Sequence, residues 1–262
     1  MNELPFQGRT AIVTGGAEGI GRATAVRLAL GGARVFTGDI QVRPENSERF
    51  AKLGIEPLEC DVRSDTAVRR LVETALAKTG RLDILVNNAG IGMVKQIPDV
   101  TEEEWDRVLD TNLKAVFLTC KYSIGPMRTG GGGSIVNVSS NAGILPRAHD
   151  PVYSTSKGAL IALTRSLALC HARDKIRVNA VCPGPVGDTG MMNADLAKAT
   201  DPQAFADQMI DASPLARAHR RMITPDEVAE SICYLASDAA IMVTGTSIAI
   251  DGGKSLGVPP KA

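Results

Sequence analysis

Neither sign of charge is in excess in this 262-residue sequence, in which 29 lysines and arginines balance 29 aspartates and glutamates. A nucleic-acid binder or a membrane-surface protein usually carries a basic patch, so the composition argues against both kinds of partner. No apolar run approaches the roughly 20 residues that a membrane-spanning helix requires. Residues 1–8 lack the positive charge and the apolar run of a secretion signal, so we expect no signal peptide.

Cysteine is sparse and follows no recognisable pattern. The five cysteines are far apart, and none belongs to a Cys-x-x-Cys pair. Their odd number and their spacing argue against a disulfide framework and against a zinc site. We therefore expect free thiols, mostly buried, in a reducing cytoplasm, and no bound metal. The five are Cys60, Cys120, Cys170, Cys182 and Cys233.

Strand-like and helix-like segments alternate along the whole chain. The strand-like runs end near residues 14, 38, 60, 86, 138, 181 and 250. This alternation predicts an α/β fold of the doubly wound, Rossmann-like type, with a parallel seven-stranded sheet and helices on both faces. No linker or change of composition divides the sequence, so we expect a single domain over residues 1–262.

Polar or glycine-rich residues follow five of the predicted strands. They are the glycine turn 15–21, Asp39, Asp61, the segment 87–90 and the pair Ser139-Ser140. In open parallel sheets, ligands bind outside the carboxyl ends of the strands. The five features therefore predict one binding crevice along this edge of the sheet.

The first of these features combines a strand, a glycine turn and the start of a helix. Backbone N–H groups at such a helix start favour a pyrophosphate. The glycines here follow the spacing Gly-x-x-x-Gly-x-Gly, which differs from the general dinucleotide fingerprint. Since glycines also mark plain tight turns, the turn predicts dinucleotide binding only together with the rest of the edge.

The acidic residue after the second strand bears on the choice of dinucleotide. Asp39 lies about 20 positions beyond the glycines, where a carboxylate accepts from ribose hydroxyls and repels a 2′-phosphate. Glu18 adds negative charge within the turn, while Arg43 partly offsets it. NAD is therefore favoured over NADP; the alternative is that Asp39 is only a solvated strand-end residue. Asp61 suits either a helix cap or a contact with the adenine amino group.

The segment after the fifth strand predicts the chemistry. Tyr153 and Lys157 are four positions apart on a predicted helix and so lie on one face. A free tyrosine has a pKa of about 10, and an ammonium within ~4–6 Å lowers that value. A phenol tuned in this way exchanges a proton with an alcohol or a ketone. The alternative is an ordinary surface pair on a helix.

Taken together, these motifs resemble the short-chain dehydrogenase/reductase family over residues 8–253. The resemblance rests on several separated motifs in the right order. They are Thr14-Gly15-x-x-x-Gly19-Ile20-Gly21, Asn87-Asn88-Ala89-Gly90, Asn112, Ser140, Tyr153-x-x-x-Lys157 and Pro183-Gly184.

The resemblance implies a role for each matching residue. Tyr153 matches the catalytic acid/base, and Lys157 the residue that lowers its pKa and binds the nicotinamide ribose. Ser140, 13 residues before the tyrosine, orients the substrate oxygen, and Asn112 holds a water in a proton relay. The residues expected at the cofactor are Gly15, Glu18, Gly19, Ile20, Gly21, Asp39, Ile40, Asp61, Val62, Asn88, Ala89, Gly90, Tyr153, Lys157, Pro183, Gly184, Val186 and Thr189.

The sequence departs from the family pattern after Pro183-Gly184. The threonine expected there comes one residue late, as Thr189, behind Asp188. Beyond it, residues 187–221 are polar, carry methionines and show weak helical periodicity, so they predict a substrate lid or, alternatively, a disordered loop. The residues expected at the substrate are Ser140, Asn141, Leu145, His149 and Met191, with Gly92 to Lys95, Pro146 and Arg147 close by.

The sequence thus predicts an oxidoreductase that transfers a hydride between NAD(H) and a secondary alcohol or the matching ketone. The nearest alternative is an NADPH-dependent ketone reductase of the 3-oxoacyl type. A dinucleotide-binding regulator without catalysis is an alternative of another class, but it would be expected to lack the serine, the tyrosine or the lysine. The resemblance also implies a homotetramer or homodimer, with a small-molecule substrate as the other partner.

Overall fold

The computed structural model describes residues 4–145 and 147–257, and over these residues seven parallel strands form one sheet. The strands are β1 Thr10–Thr14, β2 Arg34–Asp39, β3 Ile55–Glu59, β4 Ile84–Asn87, β5 Gly133–Val138, β6 Ile176–Pro183 and β7 Ser247–Ile250. Their order in the sheet is β3-β2-β1-β4-β5-β6-β7, and the predicted parallel, doubly wound sheet is confirmed.

Helices cover both faces of the sheet because successive strand side chains point to opposite faces. The helices are α1 Gly19–Leu30, α2 Ser47–Leu53, α3 Asp65–Thr79, α4 Glu102–Leu109, α5 Ala115–Thr129, α6 Pro151–His171, α7 Gly190–Lys198, α8 Pro202–Asp211, α9 Pro214–His219 and α10 Pro225–Ala236. Ala11 and Val13 of β1 pack with α1 and α10, whereas Ile12 between them packs with α3, α5 and α6.

Helix boundaries follow local capping chemistry. The hydroxyls of Thr101 and Thr224 accept from the backbone N–H three residues on, and the glutamate at that position bonds back, so α4 and α10 start with complete capping boxes. Gly80 ends α3 in the left-handed conformation, at φ +74°. The residue types at these three positions therefore fix where α4 and α10 begin and where α3 ends.

A π-helical turn separates α4 from α5. Residues Asp110–Lys114 form this turn between α4 and α5 and carry Asn112. Such single turns are rare and occur often at functional sites. Here the turn brings the almost fully buried Asn112 side chain to the end of β4.

Residues 187–221 contain three short helices, so the alternative of a disordered loop is wrong. Thr189 and Asp201 cap α7 and α8 through their side-chain oxygens, and α9 begins at a proline. The helices are amphipathic only in part, because α8 buries none of its residues and α7 buries only Met192. Weak burial explains the weak periodicity of the sequence here.

Two kinds of feature are absent from the part of the chain that the structure describes. Among residues 4–145 and 147–257, no helix combines the length and apolar character needed to cross a membrane. Within the same residues no group of three or more histidines, cysteines, aspartates or glutamates is arranged to hold a metal ion.

Candidate active site

The serines after β5 and the start of α6 are held against each other at the carboxyl end of the sheet. The hydroxyl of Ser139 donates to the backbone oxygen of Lys157 over 2.8 Å, which ties α6 to the end of β5. A Cβ on Gly143 would lie 2.7 Å from that same oxygen, so only glycine permits the approach. The result is a buried crevice in which Ser140, Tyr153 and Lys157 are 7%, 7% and 4% exposed.

Burial dominates the proton affinity of Tyr153. Loss of solvent raises the pKa of the phenol, and the negative charges of Asp150 and Asp195 act in the same direction. The hydroxyl of Ser140, and then the positive charge of Arg147, oppose this rise in pKa. The predicted lowering of the phenol pKa is therefore not found, because burial outweighs the neighbouring cations.

Lys157 is buried beside the tyrosine rather than in contact with its hydroxyl. Its Nζ lies 5.8 Å from the Tyr153 ring centroid and donates to the backbone oxygen of Val138 over 3.0 Å. Burial lowers the pKa of Lys157 from 10.5 to about 8. The ammonium thus keeps its charge at neutral pH, but with much less margin than an exposed lysine.

This burial predicts a pH-dependent stability difference. Between about pH 8 and pH 10.5 the unfolded chain binds the lysine proton more strongly than the folded protein does. Below about pH 8, Lys157 therefore lowers the free energy of unfolding by a constant amount. As pH rises from about 8 to 10.5, this destabilisation decreases. We expect Lys157→Met to be more stable relative to wild type at pH 7 than at pH 10.

Urea denaturation of both proteins across this pH range measures the difference, in which the other titrating groups largely cancel. Lys52→Met removes an exposed ammonium on α2 and serves as the control. A wild-type-minus-variant difference that stays constant from pH 7 to pH 10 would contradict the buried, weakened ammonium.

Asn112 organises the backbone that follows β4. Its Oδ1 accepts from the N–H of Ile91 over 2.8 Å, and its Nδ2 donates to the oxygen of Ile91 and to Oγ of Ser156. Ser156 in turn donates to the backbone oxygen of Tyr153 over 2.7 Å. The amide therefore couples the loop after β4 to the first turns of α6.

Gly90 is where these groups meet. A Cβ at this position would lie 3.2 Å from Oδ1 of Asn112 and 3.3 Å from Nζ of Lys157. The structure thus brings two of the sequence-predicted residues, Asn112 and Lys157, together around a third, Gly90. Beside them, Asn88 donates from Nδ2 to the oxygens of Thr14 and Gly15, which ties the glycine turn to β4. Ala89 is partly buried against the apolar core.

The positions of the glycine turn are occupied by residues without side chains because the backbone there is tightly packed and partly left-handed. Gly15 and Gly19 have φ of +62° and +50°, values that favour glycine. A Cβ on Gly21 would collide with the backbone oxygen of Gly15, so α1 packs directly on the turn. Ile20 is partly buried against the core. The arrangement is a backbone cradle of the kind that holds a dinucleotide pyrophosphate.

Asp39 closes the outer end of this cradle. Its Oδ2 accepts from the N–H of Ala17 in the turn over 3.1 Å, which holds the carboxylate at the end of β2. The neighbouring Ile40 is 63% exposed. Arg43 forms ion pairs with Glu18 at 2.6 Å and with Glu45 at 3.6 Å. Arg43, which lines the same pocket as Asp39, is thus already engaged by two acids.

Asp61 does not cap a helix. Ser64 caps α3, whereas Asp61 accepts from the backbone and guanidinium of Arg63, which lowers the pKa of the carboxyl. The sequence predicted either a helix cap or an adenine contact for Asp61. The helix cap is wrong, because the cap is Ser64, three residues further on. The adjacent Val62 is buried at 5% exposure.

The late threonine still reaches the glycine turn. Thr189 caps α7 by accepting from the N–H of Met192, and a Cβ on Gly19 would lie 3.1 Å from its Cγ2. Pro183 ends β6, and Gly184 packs against the backbone of Asp251. Val186 pairs with Ile223 in an isolated bridge. The extra residue is accommodated by Asp188, whose φ is +51°.

The expected substrate residues surround the crevice unequally. Asn141 is buried next to Ser140, while Leu145 and Met191 are 44% and 41% exposed. A Cβ on Gly92 would lie 3.1 Å from Sδ of Met191, so α7 touches the loop after β4. His149 is exposed, and Pro146 lies outside the described residues.

Sequence reasoning missed one part of this site. Asp150 is buried at the start of α6, forms an ion pair with Arg147, and accepts from the hydroxyl of Ser154 over 3.1 Å. Arg147 in turn holds its guanidinium carbon 5.3 Å from the Tyr153 ring centroid. The available signal was an acid three residues before the tyrosine and three after an arginine.

Comparisons with known proteins agree along almost the whole chain. A family model described as "Enoyl-(Acyl carrier protein) reductase" matches residues 15–255. A 4-formylbenzenesulfonate dehydrogenase of Comamonas testosteroni is 39% identical over 253 residues, which cover 95% of this chain and 98% of that protein. A cis-4-hydroxycyclohexanecarboxylate dehydrogenase of Sinomonas cyclohexanicum is 40% identical over 252 residues, covering 95% and 97%.

Two further similarities have the same extent. A 3-oxoacyl-[acyl-carrier-protein] reductase of Thermotoga maritima is 37% identical over 256 residues, covering 95% of this chain and 99% of the relative. Among solved structures, the ligand-free aldohexose dehydrogenase of Thermoplasma acidophilum superposes with a TM-score of 0.90 at 31% identity, covering 100% and 99% of the two chains.

Proposed function

This chain belongs to the short-chain dehydrogenase/reductase family of nicotinamide-dependent oxidoreductases, and we propose that it interconverts a secondary alcohol and the matching ketone with NAD(H). The observation that carries the proposal is the single buried crevice that contains Ser140, Tyr153 and Lys157. The turn of Gly15, Gly19 and Gly21 beside it suits a dinucleotide, since its glycines let the backbone pack tightly at the start of α1, where N–H groups favour a pyrophosphate.

Each residue of the crevice has one task in this proposal. Ser140 donates a hydrogen bond to the substrate oxygen and holds it beside the phenol. Tyr153 exchanges the proton with that oxygen, and Lys157 supplies the positive charge that favours the phenolate. Asn112 holds the backbone through which the proton relay from Lys157 reaches water. When bound, the nicotinamide ring supplies the acceptor or donor for the hydride.

The raised pKa of Tyr153 makes the two directions unequal for the protein groups. A protonated phenol donates directly to a developing alkoxide when a ketone is reduced. Alcohol oxidation requires the phenolate, which burial opposes and which the Ser140 hydroxyl and the charge of Arg147 favour. We therefore propose that oxidation gains more from alkaline pH than reduction does.

NAD is the proposed cofactor because negative charge dominates the outer end of the cradle. Asp39 occupies the end of β2, and Glu18 neutralises the nearby Arg43. The alternative, an NADPH-dependent ketone reductase, draws support from the 3-oxoacyl reductase relative. Both alternatives share the remaining cofactor contacts of our proposal. These are Ile40, Asp61 and Val62 on the adenine side, and Val186 and Thr189 on the nicotinamide side.

The substrate proposed is a small ring compound. Two relatives are named for six-membered ring compounds that carry an oxygen function at position 4 and a sulfonate or a carboxylate at position 1. Exposed apolar side chains at the mouth of the crevice, namely those of Ile144, Leu145 and Met191, support an apolar body of that size.

We propose that the whole chain acts as one domain in which residues 187–221 form a lid. The contacts of α7 support this role, because Gly190 meets the side chain of Glu18 and Met191 meets Gly92. The first helix of the lid therefore bridges the glycine turn and the loop after β4, on both sides of the crevice.

Association into a homodimer or homotetramer is also proposed. Phe117 on α5 and Leu169 on α6 are 54% and 85% exposed, which supports an interface on these long helices. Light scattering on the purified protein measures the assembly.

The five cysteines form no disulfide, which supports the proposed cytoplasmic location.

The experiment that tests the function is a spectrophotometric screen of secondary alcohols for NADH formation, with the matching ketones and NADH in reverse. We expect turnover with at least one small cyclic alcohol. A complete absence of turnover in both directions, with both NAD(H) and NADP(H), from a protein that binds the cofactor would favour the non-catalytic regulator.

A further inference from the structure

Arg147 is the charged side chain at the outer side of Tyr153. Its guanidinium carbon lies 5.3 Å from the tyrosine ring centroid, on the loop that joins β5 to α6. It forms an ion pair with Asp150, whose side chain is only 4% exposed, while Arg147 itself stays 40% exposed. A buried acid therefore anchors a cation that remains open at the mouth of the crevice.

The ion pair leaves most of the guanidinium unused. Its described polar side-chain contact joins Nη2 of Arg147 to Oδ2 of Asp150. A guanidinium carries five N–H donors in a planar fork that matches a carboxylate or sulfonate with two parallel hydrogen bonds. One edge of the fork is thus available for a second anion after Asp150 is satisfied.

The charges around Arg147 are mixed, and a second cation lies among them. Lys254, after β7, is close enough for Arg147 to lower the pKa of its ammonium, in addition to the effect of burial. Asp150, Asp195 and Asp251 are the acids that face this region. Two of them are engaged: Asp150 by Arg147, and Asp251 by the backbone N–H groups of residues 253 and 255.

Apolar side chains accompany Arg147 on its own loop. Ile144 and Leu145 on this loop and Met191 on α7 are 43%, 44% and 41% exposed, although each is large and hydrophobic. Apolar walls with one charged group at the end fit a ligand that has an apolar body and an anionic terminus. Since the guanidinium carbon lies 5.3 Å from the Tyr153 ring centroid, the cation and the phenol are close enough for one small ligand to contact both.

We propose that Arg147 binds a carboxylate or sulfonate at the end of the substrate opposite the reacting carbon. The inference rests on the proposed function and specifies its substrate class. Arg147 thereby selects anionic ring alcohols over neutral ones of the same shape, and it orients them with the carbinol toward Ser140. Asp150 accepts from one edge of the guanidinium, a contact that an asparagine at this position retains through its amide oxygen.

The competing explanation is structural. Arg147 would then serve only to neutralise the buried Asp150 at the start of α6. Removal of either partner would then leave the preference between anionic and neutral substrates unchanged. In the anion-binding proposal the two removals differ, because Asp150→Asn keeps the cation and Arg147→Gln removes it.

The experiment compares cis-4-hydroxycyclohexanecarboxylate with its methyl ester as substrates, each with NAD. We expect wild type to favour the acid in kcat/KM by about 10- to 100-fold, the usual range for a charge-assisted pair. Arg147→Gln should lose this preference in the acid-to-ester ratio of kcat/KM, in which any effect of the lost charge on the Tyr153 phenol is common to both substrates and cancels. Arg147→Lys should retain part of it, and Asp150→Asn should retain it. Arg173→Gln, at an exposed arginine after α6, is the matched control.

A binding measurement makes the test independent of turnover. Calorimetry of cyclohexanecarboxylate with the NADH-saturated enzyme should give an affinity that falls at least about tenfold in Arg147→Gln. If this binding is found and neither alcohol turns over, the anion site stands and the proposed alcohol oxidation fails. If alcohols turn over without preference for the acid, or if Asp150→Asn behaves as Arg147→Gln does, the anion site is wrong.

Discussion

Replacement of Tyr153 by phenylalanine is expected to lower kcat by at least about 10²- to 10⁴-fold, the usual contribution of a positioned acid or base. The side chain is only 7% exposed, and phenylalanine keeps the buried ring, including its face toward Arg147. The change therefore removes one hydroxyl with little loss of packing. Loss of activity would then report on proton exchange rather than on folding.

Cofactor binding provides the internal control for this variant. The glycine cradle and Asp39 are remote in sequence from α6 and are held by bonds of their own to β4 and to the turn. We expect NADH affinity, measured by fluorescence, to change no more than a few-fold. Near-normal turnover by Tyr153→Phe would show that another group exchanges the proton.

A matched tyrosine makes the comparison sharper. Tyr122, on the surface of α5, donates its hydroxyl to Asp65 over 2.6 Å and lies outside the crevice. Tyr122→Phe removes the same atom from the protein and is expected to leave kcat unchanged. The difference between the two variants is therefore the effect of the hydroxyl in the crevice.

Removal of the Asp39 charge is expected to have the second largest effect. A 2′-phosphate beside this carboxylate would experience like-charge repulsion, which costs several kcal/mol when the charges are poorly solvated. We expect wild type to bind NADH more tightly than NADPH and Asp39→Ser to reduce that ratio by about 10²-fold. Titrations of both cofactors measure the ratio directly.

Glu18 extends this prediction because it controls a cation. Arg43 is paired with Glu18 at 2.6 Å, so Glu18→Gln releases the guanidinium for a phosphate. We expect the double variant of Asp39→Ser and Glu18→Gln to favour NADPH, and the two effects to be non-additive since the groups are neighbours. Glu48→Gln, on the exposed face of α2, is the control for loss of one acid. Tighter binding of NADPH by the wild type would support the ketone-reductase alternative.

The fold was predictable because its signals are local and repeated. Each buried parallel strand is a short apolar run, and most of the helices between the strands show their own caps or periodic faces. The least defined is α2, Ser47–Leu53, which the alternation of strands and helices implies but does not delimit. Its seven residues bury only Phe50, so no apolar period exists for a sequence pattern to reveal.

The electrostatics of the crevice were less predictable, since they depend on packing between distant segments. Lys157 was expected to acidify Tyr153 from one turn away, yet burial of both groups determines their pKa values. Asp61 was compatible with a cap until Ser64 was seen to occupy that role. Spacing identifies which groups share an edge, but solvent exclusion depends on what is folded over them.

The sequence by itself determined the doubly wound sheet, the carboxyl edge where its polar residues gather, and the pairing of Tyr153 with Lys157 on one helical face. These follow from strand and helix periodicity, which acts over a few residues. Only the tertiary structure decided that Arg147 stands over Tyr153 on a buried Asp150, that Glu18 occupies Arg43, and that Thr189 reaches Gly19. Those contacts depend on how loops and helix ends pack against one another, and no local pattern encodes that packing.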